Sequence, residues 1–516
     1  MLRRLTLLAL LAFVAPSRPA TASERPNILF IMSDDHAQAA LSCYGSKLIT
    51  TPHLDRLARE GVRFENSFVT NSICTPSRAT LLTGQYGHRN GVPVFNRFDG
   101  SQPTVAKLLQ ASGYYTGMIG KWHLGSDPTG FDTWTILPGQ GVYVDPSFLT
   151  PAGRVETSGY VTSVITDLGI EFLSTRPTDK PFFLMLHHKA PHREWTPDAK
   201  NRERFADRDF AVPATFNDDY ATRPAALPGN RQTIAHDLTR RDLKLVPPAD
   251  LDAQAQRAWL DVTPDEVEIT RPDGTKATLR GEPLAHWKYR RYLQDYLACV
   301  QGVDDGVGRI LDYLEQSGLA KTTVVFYTSD NGFFLGEHGL YDKRFMYEPS
   351  LRVPLLARGP AVGEPGSVVS EFALNVDHAP TFLALAGAEI PAEIQGRSLL
   401  PLLAGEPTAD WRSSFYYRYY HDPGDHDTRA HYGVRTLTHK LICYWKKDAF
   451  ELFDLRTDPD EVVNLAGDPA QRETFESLRA ELLRAKQAAG DDDRFADEQP
   501  AGGVHGPFDA KPVKQR

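Results

Sequence analysis

Two acidic pairs, one cysteine and three basic clusters carry the chemistry open to this sequence. Cys74 begins the stretch Cys74-Thr75-Pro76-Ser77-Arg78-Ala79-Thr80-Leu81-Leu82-Thr83-Gly84. Pro76 suits a first helical turn and Gly84 a helix stop. A helix N-terminus offers free N–H groups and partial positive charge, with Arg78 one turn further in. Thiolate character and anion binding are both favoured there, against a buried structural cysteine as the alternative. Asp34-Asp35 and Asp330-Asn331 supply three carboxylates and an amide oxygen. An oxygen-only set suits a hard cation, Ca²⁺ or Mg²⁺, rather than zinc, although adjacent acids at strand ends also serve as helix caps or solvated loops. Lys121 and His123 alternate, so on a strand end they point to one side; a surface lysine and a structural histidine are the alternative. His187, His188 and His192 form a second basic cluster, and His338, Lys343 and Arg344 a third.

The elements that must position these residues share one pattern, an apolar run followed at once by a polar cluster. Ile28–Met32 leads into Ser33-Asp34-Asp35-His36, and Tyr115–Ile119 into Gly120-Lys121-Trp122-His123. Phe182–Leu186 leads into His187-His188-Lys189-Ala190-Pro191-His192, and Val324–Tyr327 into Thr328-Ser329-Asp330-Asn331. Helical patterns such as 104–112 and 289–316 lie between them. Apolar strands alternating with helices predict an α/β fold with a mainly parallel sheet buried on both faces. Ligands bind beyond the carboxyl ends of such strands, so the four clusters are expected to converge. Residues 193–285, rich in Asp, Arg and Pro, read as an insertion with local helices that shapes the cleft. A second domain is expected over 396–489, with antiparallel strands around 431–445 and 451–455 and a helix bearing Phe475, Leu478, Leu482 and Ala485. The polar stretch 490–516 reads as a poorly ordered tail.

Residues 1–22 read as a cleavable export signal: Arg3 and Arg4, the apolar run Leu5–Val14, then Ala20-Thr21-Ala22. The run is too short to span a bilayer, so a soluble exported product, periplasmic or secreted, is expected, with a retained N-terminal anchor as the alternative. Removing it deletes three arginines and no acid, taking the formal charge from −9 to −12. So acidic a chain is a poor partner for nucleic acid, and an anionic substrate needs positive charge concentrated in a pocket. Cys43, Cys74, Cys299 and Cys443 are too few for a disulfide scaffold.

The Cys74–Gly84 stretch matches the Cys-x-Pro-Ser-Arg-x-x-x-x-Thr-Gly signature of type I sulfatases, and Gly113–Gly125 resembles their second signature. The resemblance extends over most of 26–465. It implies an alkaline-phosphatase-like core, a large mixed sheet between helices, with a smaller C-terminal domain of antiparallel sheet and helix. It also implies that a separate maturation enzyme oxidises Cys74 to formylglycine, whose hydrate attacks sulfur. By the same resemblance, Asp34, Asp35, Asp330 and Asn331 hold Ca²⁺ beside the modified Cys74. Arg78 activates the nucleophile, Lys121 binds a sulfate oxygen, and His123 helps the covalent sulfate intermediate collapse. His192 and Lys343 assist departure of the alcohol. The 187–193 and 343–348 pieces are similar to bacterial N-acetylglucosamine-6-sulfatases, which implies a sulfated carbohydrate as substrate; Glu194 and Pro349 depart from that pattern. His188, His338, Arg344, His431 and Arg435 are candidate substrate contacts, with Asp422 and His426 beside them. A phosphate or phosphonate hydrolase of the same fold, another carbohydrate or aryl sulfatase, and an inactive glycan-binding relative are the alternatives.

Overall fold

The computed structural model describes residues 25–271, 273–495 and 497. The leader expected over 1–22 lies outside them, as does most of the expected tail. Five strands form the parallel heart of a ten-stranded sheet: β1 (Asn27–Ser33), β2 (Tyr115–Lys121), β3 (Thr133–Leu137), β4 (Phe182–His187) and β5 (Thr323–Ser329). Their spatial order is β5-β1-β4-β2-β3, and every pairing within it is parallel. Leu355–Arg358 adds antiparallel to β5 and Ser147–Thr150 antiparallel to β3, which makes the sheet mixed.

The apolar runs explain why these strands are central. Every residue of β1, β4 and β5 is buried. Alternate β1 residues enter two different cores: Leu29 and Ile31 one, Ile28, Phe30 and Met32 the other. A strand apolar on both faces has to sit between two helical layers. Helix α1 (Cys74–Thr83) lies on one side with Leu81 and Leu82 in the second core. On the other side runs α2 (Gly281–Gln316), with Leu297, Val300 and Val303 in the first core. It begins at Gly281, earlier than the pattern over 289–316 suggests.

Register levels the strand ends. Ser33 pairs with Ser329, Met32 with His187, and Gly120 with His187. The four polar clusters therefore leave the sheet at one edge, as the sequence predicts.

The 193–285 segment holds the short helices Ala199–Phe205, Ile234–Asp237 and Ala253–Leu260 and a hairpin of Val267–Thr270 with Lys276–Leu279. Its anchor is Trp195, wholly buried against Tyr292, Phe333 and Tyr341. The C-terminal sheet runs Ser414–Tyr419, His431–Thr436, His439–Tyr444, Ala449–Asp454, all antiparallel. Helix α3 (Arg472–Ala488) covers it, with Leu478 and Leu482 packed with Val434, Leu441 and Leu452. The first residues of the expected tail belong to this folded unit: Asp491 accepts from Tyr416 and Arg418, and Phe495 packs on Tyr420.

A buried charge cluster ties this sheet to the catalytic layer. Lys440, fully buried, lies 2.9 Å from Glu348 and 2.5 Å from Glu461, and Arg435 and Arg352 reach the same Glu348. Removing one member of such a cluster leaves uncompensated buried charge. Lys440→Met should lower unfolding stability by about 3–5 kcal/mol, read from the denaturant midpoint. Lys276→Met, which breaks the exposed pair with Glu268, should leave the midpoint in place. Equal effects of the two would contradict this assignment.

Candidate active site and metal centre

Helix α1 delivers Cys74 to the carboxyl edge of the sheet. All ten of its residues are buried, Gly84 at φ 66 ends it, and no side chain caps its first turn. The thiol of Cys74, a carboxylate oxygen of Asp34 and a ring nitrogen of His192 lie within 4.8 Å of one another. Carboxylate oxygens of Asp34, Asp35 and Asp330 form a second such group.

Three cations face these three acids. Arg78 donates through Nε to Asp330 Oδ2 at 2.8 Å and through Nη1 to the Lys121 carbonyl at 2.5 Å. Lys121 pairs with Asp34, and Lys343 with Asp35, both buried. The set is held closely: the Asp35 N–H donates to Asp330 Oδ1 at 3.1 Å, and Asn331 Nδ2 donates to Asp35 Oδ1 at 2.6 Å. Non-glycine residues adopt left-handed backbone at Asp35 (φ 69), His123 (φ 54), Asp342 (φ 73) and Arg344 (φ 93). Such conformations persist where surrounding structure enforces them, commonly at functional sites.

The electrostatics fit a further cation. Burial pushes Asp35 up to about 7 and Asp330 up to about 6, with neighbouring carboxylates adding to the rise. Against the same cost of burial, Lys121 and then His192, Arg78 and Lys343 hold Asp34 well below the carboxylate range. Asp34 Oδ1 and Asn331 Oδ1 are buried with no hydrogen-bond partner among the described residues. Orphaned hard oxygens beside carboxylates that hold protons above their ordinary range fit a divalent cation with oxygen ligands. Asp34, Asp35, Asp330 and Asn331 are the residues present to hold it.

The expectation of a thiolate at Cys74 is corrected. Burial pushes this thiol up to about 11, more than Lys121 and Lys343 offset, so it stays protonated at neutral pH. As an unmodified cysteine it is no nucleophile.

His123 is fixed by Thr75, the residue after Cys74. The Thr75 hydroxyl donates to the His123 carbonyl at 3.0 Å, and its oxygen lies 3.2 Å from His123 Nδ1. With that hydroxyl proton committed, Nδ1 is the protonated nitrogen and Nε2 the basic one. His192 Nδ1 donates to the Arg193 carbonyl at 2.5 Å, which leaves Nε2 facing Asp35 at 3.8 Å. Burial and then Lys121 push His192 well below its ordinary range. His187 lies beneath the site, its Nδ1 3.3 Å from both the Lys121 carbonyl and Arg78 Nη1.

Three of the five candidate substrate contacts are used elsewhere, and a fourth is buried in the fold. His188 is buried against Gly306 on α2. His338 is paired with Asp218 at 2.7 Å. His431 is wholly buried among Phe345, Tyr417, Tyr419 and Tyr444. Arg435 is bound to Glu348 over the rings of Phe68 and Phe372. Each lacked a sequence signal separating a buried partner from a ligand. Arg344 stays beside the site: Nη1 meets Asp342 Oδ1 at 2.6 Å and Nη2 lies 3.6 Å from Asp425. His426 Nε2 completes the group 3.2 Å from Asp342 Oδ2. Asp342 was missed by the sequence reading; its place next to Lys343 was the available signal.

With this geometry in hand, comparison with known proteins is decisive. The Sulfatase family matches residues 26–388, and the family described as N-sulphoglucosamine sulphohydrolase, C-terminal, matches 336–488. An N-acetylglucosamine-6-O-sulfatase of Bacteroides thetaiotaomicron is 44% identical over 90% of this chain and 86% of its own. Human arylsulfatase A is 31% identical over 94% and 91%. A solved structure in complex with its substrate D-glucosamine-2-N,6-O-disulfate aligns at TM-score 0.85 with 42% identity, covering 92% of this chain and all of that one. The chain belongs to the sulfatase family and is a sulfuric ester hydrolase on the alkaline-phosphatase-like fold.

Proposed function

We propose that this site removes sulfate from a sulfated glucosamine, the 6-O-sulfate of N-acetylglucosamine first, with Cys74 oxidised to formylglycine by a separate maturation enzyme. The observation that carries this reading is the placement of Cys74 among three buried acids and three buried cations, beside Asp342, Arg344 and His426. Similarity to the Bacteroides enzyme and to the glucosamine disulfate complex supports the choice of sugar. Oxidised to formylglycine, position 74 would carry a hydrated aldehyde whose two hydroxyls offer a nucleophile and an elimination route that a thiol lacks. Ca²⁺, when bound by Asp34, Asp35, Asp330 and Asn331, supplies positive charge against a sulfate oxygen and acidifies a neighbouring hydroxyl.

The remaining roles belong to the chain's own side chains. Arg78, Lys121 and Lys343 stand where charge develops on sulfate oxygens and need no reorganisation, because carboxylates already orient them. His123, held by Thr75 next to Cys74, is assigned as the base. His192 is assigned to the departing sugar oxygen and must first take up a proton at Nε2 to act as its acid, since Nδ1 is committed to the Arg193 carbonyl; Lys343 stabilises that oxygen. Asp342, Arg344 and His426 form a mixed acid–base cluster suited to sugar hydroxyls. Arg3, Arg4 and the apolar run after them support export. No helix among the described residues is long and apolar enough to cross a membrane.

The same fold also hosts a phosphonate monoester hydrolase of Agrobacterium radiobacter, at TM-score 0.68 and 20% identity. Protein co-expressed with a formylglycine-generating enzyme should hydrolyse 6-O-sulfated N-acetylglucosamine in preference to aryl sulfate, phosphate monoester and phosphonate. A preference for phosphate overturns the reading. Asp342→Ala should lower kcat/KM on the sugar by roughly ten- to a hundredfold, the loss expected for one hydrogen bond to a charged group. On a small aryl sulfate it should have little effect; equal loss on both would remove Asp342 from sugar recognition.

The raised acids give a pH prediction. Asp35 and Asp330 titrate above their ordinary value of 3.8 in the folded protein. Their contribution to stability is therefore present below 3.8 and lost as pH rises through about 6 to 7. A cation displaces those protons, so its binding strengthens over the same window. The rise in unfolding temperature on adding Ca²⁺ should be larger at pH 8 than at pH 5.5. An equal or larger rise at pH 5.5 contradicts the ligand assignment.

A further inference from the structure

The turn that follows β3 approaches the site from a side that neither signature segment occupies. Leu137, the last residue of β3, pairs with Lys121, the last residue of β2. The chain then turns through Pro138-Gly139-Gln140-Gly141, closed by the Gly141 N–H donating to the Pro138 carbonyl at 2.9 Å. Gly139 (φ 54) and Gly141 (φ 66) both adopt left-handed backbone. A Cβ at Gly141 would also stand 2.8 Å from the Leu137 side chain. Glycine on each side of Gln140 is what this tight turn requires.

The turn delivers Gln140 to the Lys121 ammonium, with Oε1 accepting from Nζ at 2.5 Å. An ammonium only donates, so the atom facing it is the carboxamide oxygen. The amide NH2, bonded to the same carbon, must lie beside the same ammonium, and it has no acceptor among the described residues. Gln140 is partly exposed while Lys121 is wholly buried. The same segment is anchored further on: the Tyr143 hydroxyl donates to the His192 carbonyl at 2.5 Å, and the Val161 N–H to the Tyr143 carbonyl at 2.8 Å. One loop thus contacts the two residues assigned to the sulfate oxygen and the leaving oxygen.

We propose that Gln140 is a substrate-contacting residue: its carboxamide oxygen holds the Lys121 ammonium, and its NH2 donates to an oxygen of the sulfate ester. Lys121 has three N–H donors; Asp34 and Gln140 take two, and the third is left for sulfate. Glutamine provides an acceptor for lysine and a donor for the anion without adding charge. A glutamate here would keep the acceptor, lose the donor, and place negative charge on the wall of an anion pocket.

This inference rests on the sulfate-ester reading above, and its test separates the two. Wild-type, Gln140→Leu and Gln140→Glu proteins, each co-expressed with a formylglycine-generating enzyme and supplied with Ca²⁺, are titrated with inorganic sulfate by calorimetry. They are then assayed on 6-O-sulfated N-acetylglucosamine. Gln140→Leu should weaken sulfate binding roughly tenfold, the scale of one hydrogen bond to a charged group. KM should rise in parallel while kcat changes little, because the contact forms in the ground state as well as the transition state. Gln140→Glu should weaken sulfate binding further with the unfolding temperature unchanged, so it decides the matter if Gln140→Leu folds poorly. Sulfate affinity within twofold of wild type in Gln140→Glu overturns the inference and leaves the proposed function standing. A wild-type protein that binds no sulfate and hydrolyses no sulfate ester overturns both.

Discussion

Everything at the carboxyl edge of the sheet depends on three carboxylates buried within reach of one another. Asp34, Asp35 and Asp330 would repel one another and resist ionisation in a dry interior. Arg78, Lys121 and Lys343 offset them, one cation to each acid. The balance is close to neutral and incomplete, since two of the acids are still pushed well above their ordinary range. A divalent cation would drive the acids to their charged forms and leave the pocket net positive. An anion-binding pocket in a strongly acidic protein can arise in this way, from local compensation and against the charge of the whole chain.

The fold's contribution is to hold these charges still. Four parallel strands end level, each at a point where its apolar side chains stop and polar ones begin, so the sheet's register sets the distances between charged groups. Helix α1 adds Cys74 and Arg78 from the opposite layer, and its burial makes the thiol harder to ionise. That finding favours chemistry through a modified residue over chemistry through sulfur. The loops that complete the cleft are tied down by polar contacts: Arg193 to Asp242, Tyr143 to the His192 carbonyl, and Arg231 to the loop of His426. The C-terminal sheet acts at longer range, since the cluster around Glu348 and Lys440 braces the segment that follows Lys343 and Arg344.

The strand-end clusters were legible in the sequence because each combines a continuous apolar run with residues that have no reason to be buried unless paired. Asp34, Asp35, Asp330 and Asn331 could be read as a hard-cation set from their oxygen chemistry alone. Lys121 and His123 needed the family signature, because a lysine and a histidine two apart are unremarkable in isolation. The substrate contacts were the weak point. His188, His338, His431 and Arg435 looked available, yet all four are buried, and two are held by partners distant in sequence, Asp218 for His338 and Glu348 for Arg435. Asp342 and Gln140 show the converse: nothing in a single glutamine between two glycines announces that β3 ends level with Lys121. Pairings between segments separated along the chain, from 19 residues for Gln140 with Lys121 to 120 for His338 with Asp218, decide such cases, and local spacing does not encode them.

The account stands most directly on the chemical state of Cys74. Protein made with a formylglycine-generating enzyme should yield a peptide spanning Cys74 that is lighter than the thiol form by roughly 18 Da, the difference set by oxidation of thiol to aldehyde. The extent of that conversion should track sulfate released per molecule of enzyme. Full sulfatase activity in protein whose Cys74 remains an unmodified thiol would contradict the account.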